Sequence, residues 1–348
     1  MADKRIVVLG GGNGTSRLLG ALKPLLDKDE IVSLHALVLN ADDGGSTGRL
    51  RSQYGVAAMG DLTRCLMALS NFRGDTRGEQ FLKALDYRFE GGDFGGHTLR
   101  NVFLASLEKT SNLDAALAMM ARTLQVPQAS GVLPTTTQAL TQQVVVEVEG
   151  NGEELLGEGQ HFISHKVNLQ ADPRWSPGMV RVKYAEGDVP LNPRAAEVLA
   201  EATHVVIAPG HTYGTILPTL ALPELGKAVA ASRAKLMIVM TLLTTPRQTT
   251  GWTGEDFVRV YMSYLGDKRV EVVIANKPPG AGQAGHDAQL VKGQGWVKFN
   301  GGDGKYGLIE EELVSMEKPV QLSQDNVPRA IVVHDAGRLR EVFRGILM

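Results

Sequence analysis

Three groups of residues have the types and spacing to do chemistry. The first is Gly10-Gly11-Gly12-Asn13-Gly14-Thr15-Ser16, with four glycines in five positions directly after the apolar run Ile6-Val7-Val8-Leu9. Without Cβ atoms the backbone can close on a ligand, and its N–H groups with those of a following helix form an anion site suited to a phosphate or diphosphate. The second is the adjacent pair Asp42 and Asp43, with Arg49 and Arg51 shortly after. Two acids there can hold ribose hydroxyls, hold Mg2+ against a diphosphate, or form a solvated turn, while the arginines complement phosphate oxygens. The third is dispersed. Asp61 opens a helical pattern as a cap or a ligand neighbour, and His97 follows a glycine pair at a helix start, where the dipole favours a neutral ring.

Other chemistries find no support. A dinucleotide fingerprint needs a third glycine three positions after the second; Thr15 and Arg17 stand there in the two registers, so NAD is not expected. No lysine follows Gly14 to make a phosphate-binding P-loop. There is no His-Glu-x-x-His and no reactive Cys–His pairing. The single cysteine, Cys65, lies among apolar neighbours and reads as a buried thiol. His161 and His165 stand four apart, a helical metal spacing, but on a stretch that reads as strand, which disfavours zinc.

The elements that must position these groups follow from hydrophobic period. A strand over 6–9, a helix carrying Leu18, Leu19, Leu22, Leu25 and Leu26 that Pro24 should distort or end early, and a strand over 34–39 make a βαβ unit. Its strand tips bring Asp42 and Asp43 to the edge that carries the glycine loop. Helices over 60–70, 80–85 and 99–107 form an insertion. Alternating valines over 142–149, a turn at 150–152 and a strand over 157–163 suggest an antiparallel excursion. The strand over 204–208 runs into Pro209 and Gly210, a second strand and loop facing the first, where Tyr213 stacks on a base, donates to a phosphate or packs in the core. Strands over 236–243 and 270–275 flank a helix over 255–265, and Thr244, Thr245 and Thr249 sit at a strand end. Residues 277–294 are rich in Gly, Ala and Pro and read as a lid, and Leu339, Val342, Phe343 and Ile346 mark a closing helix.

The 348 residues exceed the usual size of a single core, and their formal charge of −2, from 36 basic and 38 acidic residues, includes no basic block. Nucleic acid is therefore not an expected partner. No run can cross a bilayer and the N-terminal residues lack signal-peptide architecture, so a cytoplasmic protein with no membrane association is expected. A homo-oligomer is left open.

Several blocks resemble the bacterial gluconeogenesis factor family, a branch of the 2-phospho-L-lactate transferase-like superfamily. They are residues 10–15, the run 41–51, Gly60-Asp61 with Arg64-Cys65-Leu66, and Gly96-His97-Thr98-Leu99 with Asn101. Residues 208–218, 243–249 and Ile274-Ala275-Asn276 agree in order. The chain departs from the family pattern at Arg100, Thr219, Gln248 and Val333. The resemblance implies a Rossmann-like fold that binds nucleotide sugars such as UDP-N-acetylglucosamine, in a cytoplasmic protein linked to carbon metabolism, cell wall and cell shape. The transferase cousins would instead use Mg2+ and a nucleoside-diphosphate-activated donor.

The resulting expectation is a single elaborated α/β domain: a Rossmann-like three-layer αβα with a mainly parallel sheet. Its parts are a βαβ unit over 1–60, a helical insertion over 61–135, a β excursion over 136–200, a second βα half over 201–276 and closing elements over 277–348. The ligand site takes Gly11, Gly12, Asn13, Gly14 and Thr15 from one loop and Pro209, Gly210, His211, Tyr213 and Thr215 from the other. Arg49, His97, Asn101, Thr244 and Asn276 complete it, with Asp42, Asp43 and Asp61 for a metal.

Overall fold

The first apolar run, too short for a helix and free of polar interruptions, becomes strand β1 (Arg5–Gly10), and its glycines lead straight into helix α1 (Gly12–Leu26). The structure, a computed structural model, describes residues 3–148, 152–173, 175–277, 290, 292–301, 304–315 and 332–348. Pro24 does not end α1 early: it falls in the last turn, where the missing N–H costs a single bond, and the helix runs through it to Leu26. Strand β2 (Ser33–Val38) returns parallel to β1, with Gly10 opposite Val38.

The polar run after β2, which shows no helical period in the sequence, winds into helix α2 (Gly45–Tyr54), which ends at the left-handed Gly55. The helical insertion follows as α3 (Gly60–Ala68), α4 (Thr76–Asp86), α5 (Leu99–Thr110) and α6 (Leu113–Thr123). It ends in a strand the sequence did not announce, β3 (Ser130–Pro134), which pairs in parallel with β2.

The excursion is a separate antiparallel sheet of β4 (Gln142–Val148), β5 (Gly152–Glu158) and β6 (Val180–Tyr184), ordered β5-β4-β6. The strand expected over 157–163 is corrected: β5 stops at Glu158, Gly159 turns with φ +84°, and Gln160–His165 forms helix α7. Helix α8 (Pro193–Glu201) leads to β7 (His204–Ile207), a π-turn over Thr212–Ile216, α9 (Leu217–Leu220) and α10 (Pro223–Ala231). Then come β8 (Lys235–Val239), α11 (Gly254–Met262), β9 (Val270–Asn276), β10 (Gly307–Glu311) and α12 (Ala336–Leu347). Most of the suspected lid, 278–289 and 291, lies outside the described residues.

The main sheet runs β3-β2-β1-β7-β8-β9-β10 with every pairing parallel. Side chains alternate between two buried layers. Val7, Leu9, Val205 and Ile207 face the layer shared with α8, α10, α11 and the excursion, while Ile6, Val8 and Val206 face α1, α3 and α12. The chain leaves β1 toward β2 on one side and returns as β7 on the other. That reversal opens a crevice at the carboxyl ends of β1 and β7, where open α/β sheets bind ligands.

Candidate site: an arginine-lined cleft at the switch point

The two loops at the crevice touch. A Cβ on Gly14 would stand 1.8 Å from the Pro209 carbonyl oxygen, and one on Gly210 would stand 2.9 Å from Ile216. Around them opens a cleft of about 1670 Å³, lined by Gly11 to Gly14, Pro209, Gly210, His211 and Thr215. Helix caps show what the cleft is built to accept. Asp75, Asn112, Asn192, Thr253 and Asp335 cap α4, α6, α8, α11 and α12 with side-chain hydrogen bonds. Helices α1, α2, α3 and α5, whose first turns line the cleft, have no side-chain cap. Four helix N-termini with their positive dipole ends therefore face one space, a setting for an anion.

Charge agrees. Arg17, Arg49, Arg64, Arg73, Arg88, Arg100 and Arg247 line the cleft, against the acids Asp42, Asp61 and Glu90. Several are held by backbone carbonyls or acids: Arg49 donates to Gly95 O at 2.8 Å, Arg64 lies 3.8 Å from Asp61, and Arg100 pairs with Asp86. Arg51, by contrast, turns back to the Asp42 carbonyl at 2.9 Å and is not a cleft residue.

The three expected metal ligands separate. Asp42 and Asp61 both line the cleft. Burial and the charge of Asp61 push the Asp42 carboxyl up to about 6, against hydrogen bonds from Gly44 N–H and Thr47 that favour its charged form. A hard divalent cation held by one or two carboxylates, waters and ligand phosphates would fit this pair. Asp43 points elsewhere. It accepts the His161 N–H at 2.7 Å and so caps α7, in space that Gly159 leaves open: a Cβ there would stand 2.6 Å from its Oδ2. Among the described residues no group of three or more His, Cys, Asp or Glu is arranged to hold a metal.

Behind the first turn of α2 lies a buried polar chain. Asn101 Nδ2 donates to Ser46 Oγ at 3.2 Å, and Ser46 Oγ stands 2.9 Å from His97 Nδ1. Burial holds the His97 ring toward its neutral form and the charges of Arg49 and Arg88 add to this, in the direction expected from its place at a helix start. Ser46 and Asn101 reach the cleft; His97 stands behind Ser46.

His211 lines the cleft, neutral because burial lowers it to about 4, and its Nδ1 accepts the Gly214 N–H at 2.9 Å. Thr244 also lines it, exchanging hydrogen bonds with the Gly295 backbone. Besides His97, three further expected ligand residues are placed otherwise. Tyr213 is fully buried with its ring 6.1 Å from Trp252, so it is a core residue and cannot stack on a base. Asn276 is spent on the backbone, accepting from Leu313 N–H at 2.8 Å. Thr15 folds back onto Gly11 O at 3.0 Å inside α1, leaving Ser16 at the cleft. Sequence reasoning did not place Ser46 or most of the arginines at the ligand and noted Gln248 only as a departure from the family pattern, since these residues are spread over α1, α2, α3, α5 and connecting loops.

Comparison with known proteins places the chain in a family. Residues 6–305 match the family model described as 2-phospho-L-lactate transferase CofD. A putative gluconeogenesis factor of Lactococcus lactis is 31% identical over 280 residues, 79% of each chain. The gluconeogenesis factor of Bacillus subtilis is 30% identical over 275 residues, 78% of each. A putative gluconeogenesis factor of Nostoc is 32% identical over 80% of this chain, a match that takes in 56% of the Nostoc protein. The crystal structure of a UPF0052-family protein from Bacillus halodurans superposes with a TM-score of 0.77 at 25% identity, covering 98% of this chain and 99% of that one. The chain thus belongs to the 2-phospho-L-lactate transferase CofD family, among the relatives that carry the name gluconeogenesis factor.

Proposed function

We propose that the cleft binds a nucleotide sugar, of the uridine diphosphate type, and that the protein acts as a ligand-responsive regulator of carbon metabolism and cell shape in the cytoplasm. The observation that carries the reading is the convergence of four uncapped helix N-termini on two glycine loops that meet at Gly14 and Pro209. That arrangement suits a diphosphate, and about 1670 Å³ leaves room for a base and a sugar beside it.

A second reading has one observation in its favour. The Asp42 and Asp61 carboxyls line the same cleft, where burial first and the charge of Asp61 second raise Asp42, a setting that a cation would relieve. With Mg2+ there, the family's transferase chemistry becomes available: the ion would neutralise the leaving phosphate while an acceptor alcohol attacks.

Thermal-shift measurements with UDP-sugars, GDP-sugars and NAD, each with and without Mg2+, test both readings. A ligand at a hundred times its Kd stabilises by about 2.7 kcal/mol. Stabilisation by UDP-sugars without turnover supports the regulator, release of a nucleoside monophosphate supports the transferase, and a preference for NAD overturns both.

A further inference from the structure

The chain Asn101–Ser46–His97 has the parts of an activated nucleophile, although its residues are spread over 55 positions and no sequence motif joins them. Ser46 and His97 are 8% and 5% exposed and Asn101 is 4% exposed, so bulk water competes little for their hydrogen bonds. The 2.9 Å separation of Ser46 Oγ and His97 Nδ1 is within the reach of a general base. Asn101 Nδ2 fills one acceptor site of the hydroxyl. With the ring as its Nε2–H tautomer the hydroxyl proton points to Nδ1, and one lone pair is left for the cleft that Ser46 lines. Ser46 is the second residue of α2, whose first turn has no side-chain cap, so an oxygen gaining negative charge there meets open N–H groups. The backbone that carries the ring is pinned on both sides: Phe89 N–H donates to the His97 carbonyl at 3.0 Å, and the His97 N–H donates to Phe94 O at 2.9 Å.

We infer that Ser46 is a nucleophile activated by His97, able to take a phosphoryl group from a diphosphate ester in the cleft. This rests on the reading that the cleft binds a nucleoside diphosphate ester, and it departs from the regulator in that the bound ester is turned over. In the step, Oγ attacks the phosphorus distal to the nucleoside, and the bond from that phosphorus to the bridging oxygen breaks. The nucleoside monophosphate leaves as its dianion, and the hydroxyl proton passes to His97 Nδ1. In the return step an alcohol or water takes the phosphoryl group and loses its own proton to solvent, while the imidazolium returns its proton to Oγ. Neither step needs an oxidant or a reductant.

The activation can be tested without the natural ligand. Diisopropyl fluorophosphate requires only an activated hydroxyl: the Oγ–P bond forms, the P–F bond breaks, fluoride leaves and the proton goes to the base. Full-length protein is incubated with the reagent and read by intact mass and peptide mapping, with circular dichroism and melting curves on every variant. The expected result is one adduct per chain on Ser46 in the native protein and none in Ser46→Ala. In a folded His97→Gln variant, labelling should slow by about 100-fold or more. A native protein that does not label at Ser46, or a His97→Gln variant that labels as fast, overturns the proposal. Protection of Ser46 by a UDP-sugar would place the nucleophile at the nucleotide. Labelling that UDP- and GDP-sugars leave unchanged would keep the nucleophile and remove the nucleotide reading.

Discussion

Gly14 and Pro209 meet backbone to backbone, with no space for a methyl group between the helix that follows β1 and the loop that follows β7. The glycine is needed for that approach rather than for its dihedral angles, since Gly14 is not among the residues with positive φ.

Gly14→Ala should therefore force the two loops apart. Overpacking of this kind costs about 1–3 kcal/mol, and denaturant unfolding should show it together with loss of ligand-induced stabilisation. Gly20→Ala in the same helix has nothing within 4 Å of the added methyl. It should be neutral or stabilising by about 0.5–1 kcal/mol. Equal losses in both variants would exclude the loop contact as the cause.

Asp42 sets a pH dependence. Its carboxyl is raised from 3.8 to about 6 in the fold, so the native state holds a proton there that the unfolded chain has already released. The contribution to stability is full below the unfolded value, declines as pH rises from about 4 to 6, and stays low above that. Asp42→Asn should raise the stability of the ligand-free protein at pH 7.5 by about 1–3 kcal/mol, with little change at pH 4. Mg2+-dependent ligand binding in the native protein should strengthen as pH passes upward through about 6, and Asp42→Asn should abolish that slope. Urea melts and calorimetric titrations at the two pH values check both expectations.

Asp43 should behave as a helix cap. Asn keeps an acceptor for the His161 N–H and Ala does not, so Asp43→Ala should cost about 0.5–2 kcal/mol and speed amide exchange over α7, while Asp43→Asn leaves both nearly unchanged. Were Asp43 a metal ligand, Asn would instead abolish Mg2+ dependence.

Tyr213 carries a buried hydroxyl with no hydrogen-bond partner among the described residues. Tyr213→Phe should be neutral or stabilising by about 1 kcal/mol and should leave ligand affinity unchanged. A drop in affinity would return this residue to the binding site.

These cases show why parts of the site were legible in the sequence and parts were not. The glycine loops were legible because close approach of backbone requires glycine at contiguous positions, and the strands at 6–9 and 204–208 because both their faces are buried and leave unbroken apolar runs. Helix α2 was not, since its polar, glycine-bearing sequence Gly45-Ser46-Thr47-Gly48 has no apolar stripe and is held by docking against α5. Tyr213 was misread because a motif places residues on a loop without telling which side chains turn to the core. The acid pair at 42–43 looked like one unit, yet one backbone step sends Asp42 into the cleft and Asp43 to the end of α7. Ser46 and His97 sit 51 positions apart, joined only once α5 and the segment before it fold against α2.

The last described helix bears on how the site comes into being. Leu339 and Phe343 of α12 share the layer that buries Leu18, Leu22 and Leu25 of α1, and Arg344 grips Glu30 across 314 positions. A nascent chain that has already extruded its glycine loop, and the α3 and β2 that pack on α1, still leaves bare the part of α1 that α12 covers, so the packing behind the loop is completed only by residues translated some three hundred codons later.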